Sequence, residues 1–145
     1  MLKGIDPLLG PDLLKTLADM GHGDEISIVD ANFPATSVAR ETVLGRPLRI
    51  DCDAVRAVRA VLSLLPLDDF EPDPVLTMQV VGDPEQVPEA VREALPLFEP
   101  EGVRPAALER FDFYARSKRS FAILATVETR IYANFILRKG IVAPK

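Results

Sequence analysis

Met20-Gly21-His22-Gly23-Asp24-Glu25-Ile26-Ser27-Ile28-Val29-Asp30 decides how this chain folds. Upstream, Gly10-Pro11-Asp12 has the marks of a helix start, because proline's missing N–H is unpaired in the first helical turn anyway. Leu13, Leu14, Leu17 and Met20 follow at helical spacing and give an apolar stripe. Gly21 fits the left-handed residue that closes such a helix. Glu25 to Asp30 is then a mostly buried strand, with an acid at its carboxyl end.

The same alternation continues outward. Ala31 to Ala35 is a loop, with Pro34 holding Phe33 out of the helical region. Residues 36 to 45 carry no clear periodicity. Leu48 to Ile50 is a short strand, and Asp51 caps a helix running to about Leu65 with Val55, Val58, Val61, Leu62 and Leu65 inward. An acidic, proline-rich connection spans Pro66 to Pro74. Val75 to Val81 is a strand, Val87 to Leu95 a helix ended near Pro96, and Arg110 to Arg119 another helix. Phe121 to Thr126 and Ile131 to Leu137 are strands. Apolar strands alternating with helices predict a layered α/β fold with a largely parallel sheet flanked by helices. The length, 145 residues, fits one domain over residues 1–145.

Composition narrows the function classes. A net charge of −5 argues against a nucleic-acid binder. The short basic clusters, Arg116 with Lys118 and Arg119, and Arg138 with Lys139, read as a solvated helix face and a strand end. No apolar run spans a membrane and the amino terminus does not resemble a signal peptide. The single cysteine, Cys52, excludes an intramolecular disulfide framework and points to the cytoplasm. One histidine and one cysteine make a transition-metal site improbable, and neither common phosphate-binding glycine loop is present, so no metal and no cofactor are expected.

The chemistry-bearing candidates sit at element ends. His22 is the sole histidine, clamped between two glycines, and imidazole titrates close to neutrality. A proton-transfer role and a turn whose imidazole merely hydrogen-bonds the backbone are equally open. Asp30 lies where open α/β sheets place ligands, though a loop-ordering role is the plainer account. His22 starts the strand that Asp30 ends, and at roughly 3.3 Å per residue the two do not meet along it. Either the turn folds back or a second subunit contributes. Tyr132 and Asn134, two apart on an expected strand, share a face that suits a hydroxylated ligand; an edge-strand tyrosine and a backbone-bonded amide is the alternative. Arg110 and Tyr114 share a helix face, by function or by simple packing.

Taken together these stretches resemble the L-fucose mutarotases, relatives of the D-ribose pyranases. The likeness lies in Met1-Leu2-Lys3-Gly4-Ile5, Leu13-Leu14, Met20 to Glu25 and Asp30-Ala31-Asn32-Phe33-Pro34. It returns in Arg110-Phe111, Phe113-Tyr114, Phe121-Ala122, Tyr132-Ala133-Asn134 and Lys139-Gly140, and is weak from Thr36 to about Glu109. It implies a cofactor-independent isomerase that interconverts the α and β anomers of L-fucose or a related monosaccharide. It also implies a ring-shaped homo-oligomer, commonly a decamer, with sites shared between neighbours. His22 is then the proton donor, and Asp30, Arg110, Tyr132, Ala133 and Asn134 bind the sugar. Ribose pyranases carry histidine where this chain has Arg110, tend to have threonine at Gly23, and differ from Ala31 to Pro34, which favours the fucose branch. Pyranose–furanose interconversion and non-catalytic monosaccharide binding are the alternatives.

Overall fold

A computed structural model describes residues 1–145. Its centre is a six-stranded sheet in the order β2-β5-β1-β6-β3-β4. The strands are β1 (Glu25–Val29), β2 (Leu48–Arg49), β3 (Val75–Met78), β4 (Ala106–Leu108), β5 (Ala122–Ala125) and β6 (Phe135–Arg138). The helices are α1 (Pro11–Asp19), α2 (Ala35–Ala39), α3 (Ala54–Leu62), α4 (Glu89–Phe98) and α5 (Arg110–Lys118). β1 pairs parallel with β5, β2 with β5 and β3 with β4. β6 alone runs the other way, antiparallel to both β1 and β3. The layered, largely parallel α/β architecture is therefore as expected, with one reversed strand in the middle of the sheet.

Both faces of the sheet are covered, as an all-buried β1 requires. On one face α1, α3 and α4 bury Leu13, Leu17, Val58, Val61 and Phe98 against Ile26, Ile28, Leu124 and Phe135. On the other, α2 and α5 bury Val38 and Phe113 with Phe33 against Val29, Ile123 and Ile136. No helix is long and apolar enough to cross a membrane.

Several local expectations are corrected. Gly21 is not the left-handed residue: α1 ends on an extended Met20, and the positive φ, +88°, belongs to Gly23. No helix-closing glycine is needed, because the Lys139 ammonium donates to the carbonyls of Leu17 at 2.8 Å and Met20 at 2.5 Å. Gly21 to Asp24 instead form a tight turn, closed by the Asp24 N–H on the Gly21 carbonyl at 3.2 Å, with Gly23 in the position that demands positive φ. The α3 cap is Asp53, not Asp51: its carboxylate accepts the Arg56 N–H at 2.8 Å. That helix stops at Leu62, so Leu65 is buried beyond its end. α4 passes through Pro96 to Phe98, whose complete burial holds the last turn. The residues from Thr36 to Gly45 begin in the short α2, and the small strand β4 was not foreseen.

The largest correction concerns Ile131 to Asn134. β6 begins only at Phe135, and Tyr132 has φ +59°, so Tyr132 and Asn134 do not share a strand face. They belong to the turn that leads into β6. The basic clusters are also more occupied than a solvated surface would be. Arg116 makes a bidentate pair with Glu25, and Arg138 is buried on Asp68.

Candidate active site

β1 ends at Val29, so Asp30 emerges at the carboxyl edge of the parallel strands. β6, running oppositely, begins at that same edge and delivers Asn134 beside it. The Asn134 amide oxygen accepts the Asp30 N–H at 2.9 Å, and its nitrogen donates to the Asp30 carboxylate at 3.1 Å. The other carboxylate oxygen accepts the Asn32 N–H at 3.0 Å, a local turn that orders the loop as well. Burial raises the Asp30 carboxyl above its ordinary value, outweighing the N–H groups of Asn32, Ala133 and Phe33 and the Asn134 amide. No cation pairs with it inside the chain.

α5 supplies the next wall. The Glu109 carboxylate caps it, accepting the N–H groups of Phe111 at 2.8 Å and Asp112 at 3.2 Å. This fixes Arg110 in the first turn, with Tyr114 one turn on, and both line the same small pocket as Asp30, Tyr132 and Asn134. The pocket holds about 190 Å³. Phe33, Met78 and Ile131 give it apolar surface, and Tyr114 packs edge-on to Phe33 with ring centroids 5.3 Å apart. The Nε of Arg110 is buried and finds no partner within the chain. An orphaned buried donor is uncommon in a folded protein; the guanidinium stacks over the Phe111 ring at 4.6 Å, in a residue that lines the cavity with Asp30. The Tyr132 hydroxyl accepts the Val81 N–H at 3.3 Å. Its left-handed backbone, costly for a large side chain, holds the phenol at the pocket wall. Ala133 is fully buried between its two polar neighbours.

His22 is elsewhere. It stands in the turn before β1, at the opposite edge of the sheet, beside the carboxyl end of β6. Its Nε2 lies 2.9 Å from the Asp68 carboxylate, and its ring sits 4.8 Å from that of Phe70. A depression of about 710 Å³ opens there, lined by His22, Asp68, Phe70, Glu25, Arg116 and Arg138 among others. The structure thus brings Asp30, Arg110, Tyr132 and Asn134 together and leaves His22 apart from them. A third hollow, of about 700 Å³, is lined by Asp12, Arg46, Arg49 and Asp51, and there Arg46 pairs with Asp12 at 3.3 Å. Sequence reading missed Asp68, Phe70 and Met78. Asp68 is one acid among several in the connection before β3, and nothing local distinguishes it.

The class so defined is a small α/β protein with a polar, hydrogen-bonding pocket at the strand ends, suited to a small hydroxylated ligand. The chain belongs to the RbsD / FucU transport protein family, whose model matches residues 3–142. It is 44% identical to the fucose mutarotase of Homo sapiens, over 98% of this chain and 95% of that one. It is 40% identical to the L-fucose mutarotase of Haemophilus influenzae (strain 86-028NP), over 97% of each. Its fold matches the crystal structure of the fucose mutarotase from Streptococcus pneumoniae in complex with L-fucose, with TM-score 0.84 and 40% identity, covering 98% of this chain and all of that one.

Proposed function

We propose that this protein is a cofactor-independent mutarotase that interconverts the α and β anomers of L-fucose. The observation that carries the reading is the pocket of Asp30, Arg110, Tyr132 and Asn134, with its unpartnered buried guanidinium nitrogen, in a chain this similar to fucose mutarotases. Anomer exchange passes through the open-chain aldehyde. The anomeric hydroxyl loses a proton, the ring oxygen gains one, the ring C–O bond breaks, and closure on the other carbonyl face reverses these steps. Asp30 accepts hydrogen bonds from sugar hydroxyls, and Arg110 donates to sugar oxygens. Tyr132 and Asn134 fix the ring, with Ala133 spacing them. Phe33, Tyr114 and Ile131 face its apolar side.

His22 moves the proton. Because it lies at the far edge of the sheet from Asp30, the proton-transfer group of each site comes from a neighbouring copy of the chain. This fits a heterologous, ring-forming association, the homodecamer of the resemblance above. Exposed Ile131 and Phe111 beside the pocket, and exposed Phe70 beside His22, supply apolar surface for such a contact. The lone cysteine and the metabolic chemistry support a cytoplasmic setting. Positioned acid–base catalysis is worth about 10²- to 10⁴-fold, enough for a ring opening that already proceeds unaided.

Saturation transfer between the α and β anomer signals of L-fucose tests this. Exchange accelerates with the protein and is lost in His22→Ala. Saturable binding with no acceleration would reduce the protein to a sugar-binding module, and faster pyranose–furanose exchange of ribose than anomer exchange of fucose would assign it to the pyranase branch.

A further inference from the structure

Resting on the mutarotase reading above, we propose that Glu128 and Arg130 are the positioning residues of the sugar-holding half: their ion pair sets where Asp30, Tyr132 and Asn134 stand, and so sets sugar affinity, without touching the sugar.

The connection from β5 to β6, residues 126–134, has no regular structure, yet it supplies Tyr132 and Asn134 and flanks Asp30. On one side of Asp30, the Val29 carbonyl accepts the Thr126 N–H at 3.0 Å and the Thr126 hydroxyl at 2.8 Å. On the other, the Ala31 N–H donates to the Glu128 carbonyl at 2.8 Å. The Glu128 N–H links the two, donating to the Thr126 hydroxyl at 3.2 Å. The Glu128 side chain is buried among donors. Its Oε1 accepts the Arg130 N–H at 2.9 Å and Arg130 Nε at 3.0 Å. Its Oε2 accepts Arg130 Nη2 at 2.9 Å and the Ala54 N–H, at the start of α3, at 3.3 Å. The bonds from Arg130 hold the carboxyl below its ordinary range against burial. A bidentate guanidinium–carboxylate pair fixes direction as well as distance. Arg130 Nη1 reaches on to Glu93 of α4 at 2.5 Å. α3, α4 and the Asp30 loop therefore meet at one ion pair, two residues before the left-handed Tyr132. Such a backbone persists only where its surroundings over-determine it. The Arg130 N–H, tied to Glu128, holds it from the amino-terminal side. Neither Glu128 nor Arg130 lines the pocket, so both act through the residues that do.

Both Glu128 oxygens face only donors, so in Glu128→Gln the amide NH₂ displaces an acceptor whichever way it turns, and the bidentate pair opens. The variant is measured at a temperature where circular dichroism shows it fully folded. Its half-saturating L-fucose concentration in anomer exchange rises about 10-fold, the scale of one hydrogen bond to a charged group, while the saturated rate stays within about twofold of wild type. The chain has two tyrosines, so a ¹³C-tyrosine-labelled sample gives two sets of ring signals, assigned by Tyr132→Phe. Glu128→Gln moves the Tyr132 signals and leaves those of Tyr114 in place. Arg130→Lys keeps the charge without the bidentate geometry and gives the same split, and it decides the proposal if Glu128→Gln does not fold. Wild-type half-saturation in a folded variant, with only the melting temperature lowered, overturns the proposal. A fall in the saturated rate at unchanged half-saturation overturns it as well. A wild type that accelerates exchange of no sugar overturns the mutarotase reading instead, and the tyrosine signals still report whether the ion pair positions Tyr132.

Discussion

Asn134 and Asp30, 104 residues apart in sequence, hold each other by two hydrogen bonds, one to the backbone and one to the carboxylate. The backbone bond fixes which way the amide points, and so aims its nitrogen at Asp30. In Asn134→Ala the Asp30 N–H is left buried and unpaired, which costs about 1–3 kcal/mol. The urea midpoint falls accordingly, and calorimetric binding of L-fucose weakens. Unchanged stability would mean that the pair does not order this edge of the sheet.

Two inactive proteins restore each other if each site draws on two chains. His22→Ala and Arg110→Ala, refolded together, regain activity because about one site in four receives both intact residues in a random assembly. Either variant alone stays inactive. A mixture no better than its components places the whole site in one chain.

Acid weakens the fold through specific carboxylates. Asp68 is held below its ordinary 3.8 against burial, by bonds from His22, the Phe70 N–H, Arg138 and the Glu71 N–H. Hydrogen bonds from Arg130 hold Glu128 below 4.5, and from Arg56 hold Asp6 below 3.8. Each contributes stability that is complete above its unfolded pKa and is lost as pH falls toward its folded value. Asp30 runs the other way. Burial raises its carboxyl above 3.8, so its contribution is present below the unfolded value and fades as pH rises through the folded one. With three groups against one, urea midpoints hold from neutrality to about pH 5 and fall below about 4.5. Asp68→Asn makes that acid limb shallower, and an unchanged limb contradicts the assignment.

Tyr132→Phe separates binding from folding. The Val81 N–H is at an exposed residue and turns to water when the phenol oxygen is removed. Thermal stability changes by no more than about 0.5 kcal/mol, whereas loss of a hydroxyl contact with the sugar costs about 1 kcal/mol, several-fold in affinity. Equal affinity would remove Tyr132 from the sugar contacts.

Gly140 touches the backbone that carries Asp68, the partner of the proposed proton-transfer residue His22. A Cβ there meets the Leu67 carbonyl oxygen at 2.5 Å and the Asp68 Cα at 2.9 Å. Gly140→Ala therefore displaces Asp68, and the exchange rate drops with sugar binding intact. The overpacking costs about 1–3 kcal/mol by thermal denaturation. Wild-type rate in this variant would show that His22 tolerates movement of its partner.

The alternation of apolar strands with helical stripes was legible because burial on both sheet faces leaves nearly continuous apolar runs, as in Ala122 to Ala125 and, broken only by Ser27, in Ile26 to Val29. The direction of β6 was not legible, since Phe135 to Leu137 is equally apolar for either direction. That reversal is what places Asn134 beside Asp30. His22, Asp30, Arg110 and the Tyr132–Asn134 segment stand out in sequence as polar groups at element ends, but their division between two sheet edges is a property of topology. Asp68 was hidden because its distinction is a set of long-range donors, Arg138 above all, and no local pattern encodes them. Tyr132 misled for the opposite reason: its residue type suits a strand, while tertiary contacts impose a left-handed backbone.

β6 works as a gauge. Tyr132 to Asn134 enter it at one end and Arg138 leaves it at the other, so one short strand carries the proposed sugar-holding half of a site and the anchor of the proposed proton-moving half. In the proposed shared-site assembly those halves serve different sites, and the strand's length would set the offset at which a neighbouring copy sits. At roughly 3.3 Å per residue, one residue gained or lost inside β6 would change that stagger by about one sugar C–C–O span. It would also exchange the side chains that face the two cores, because they alternate along the strand, with Phe135 and Leu137 on one face and Ile136 on the other.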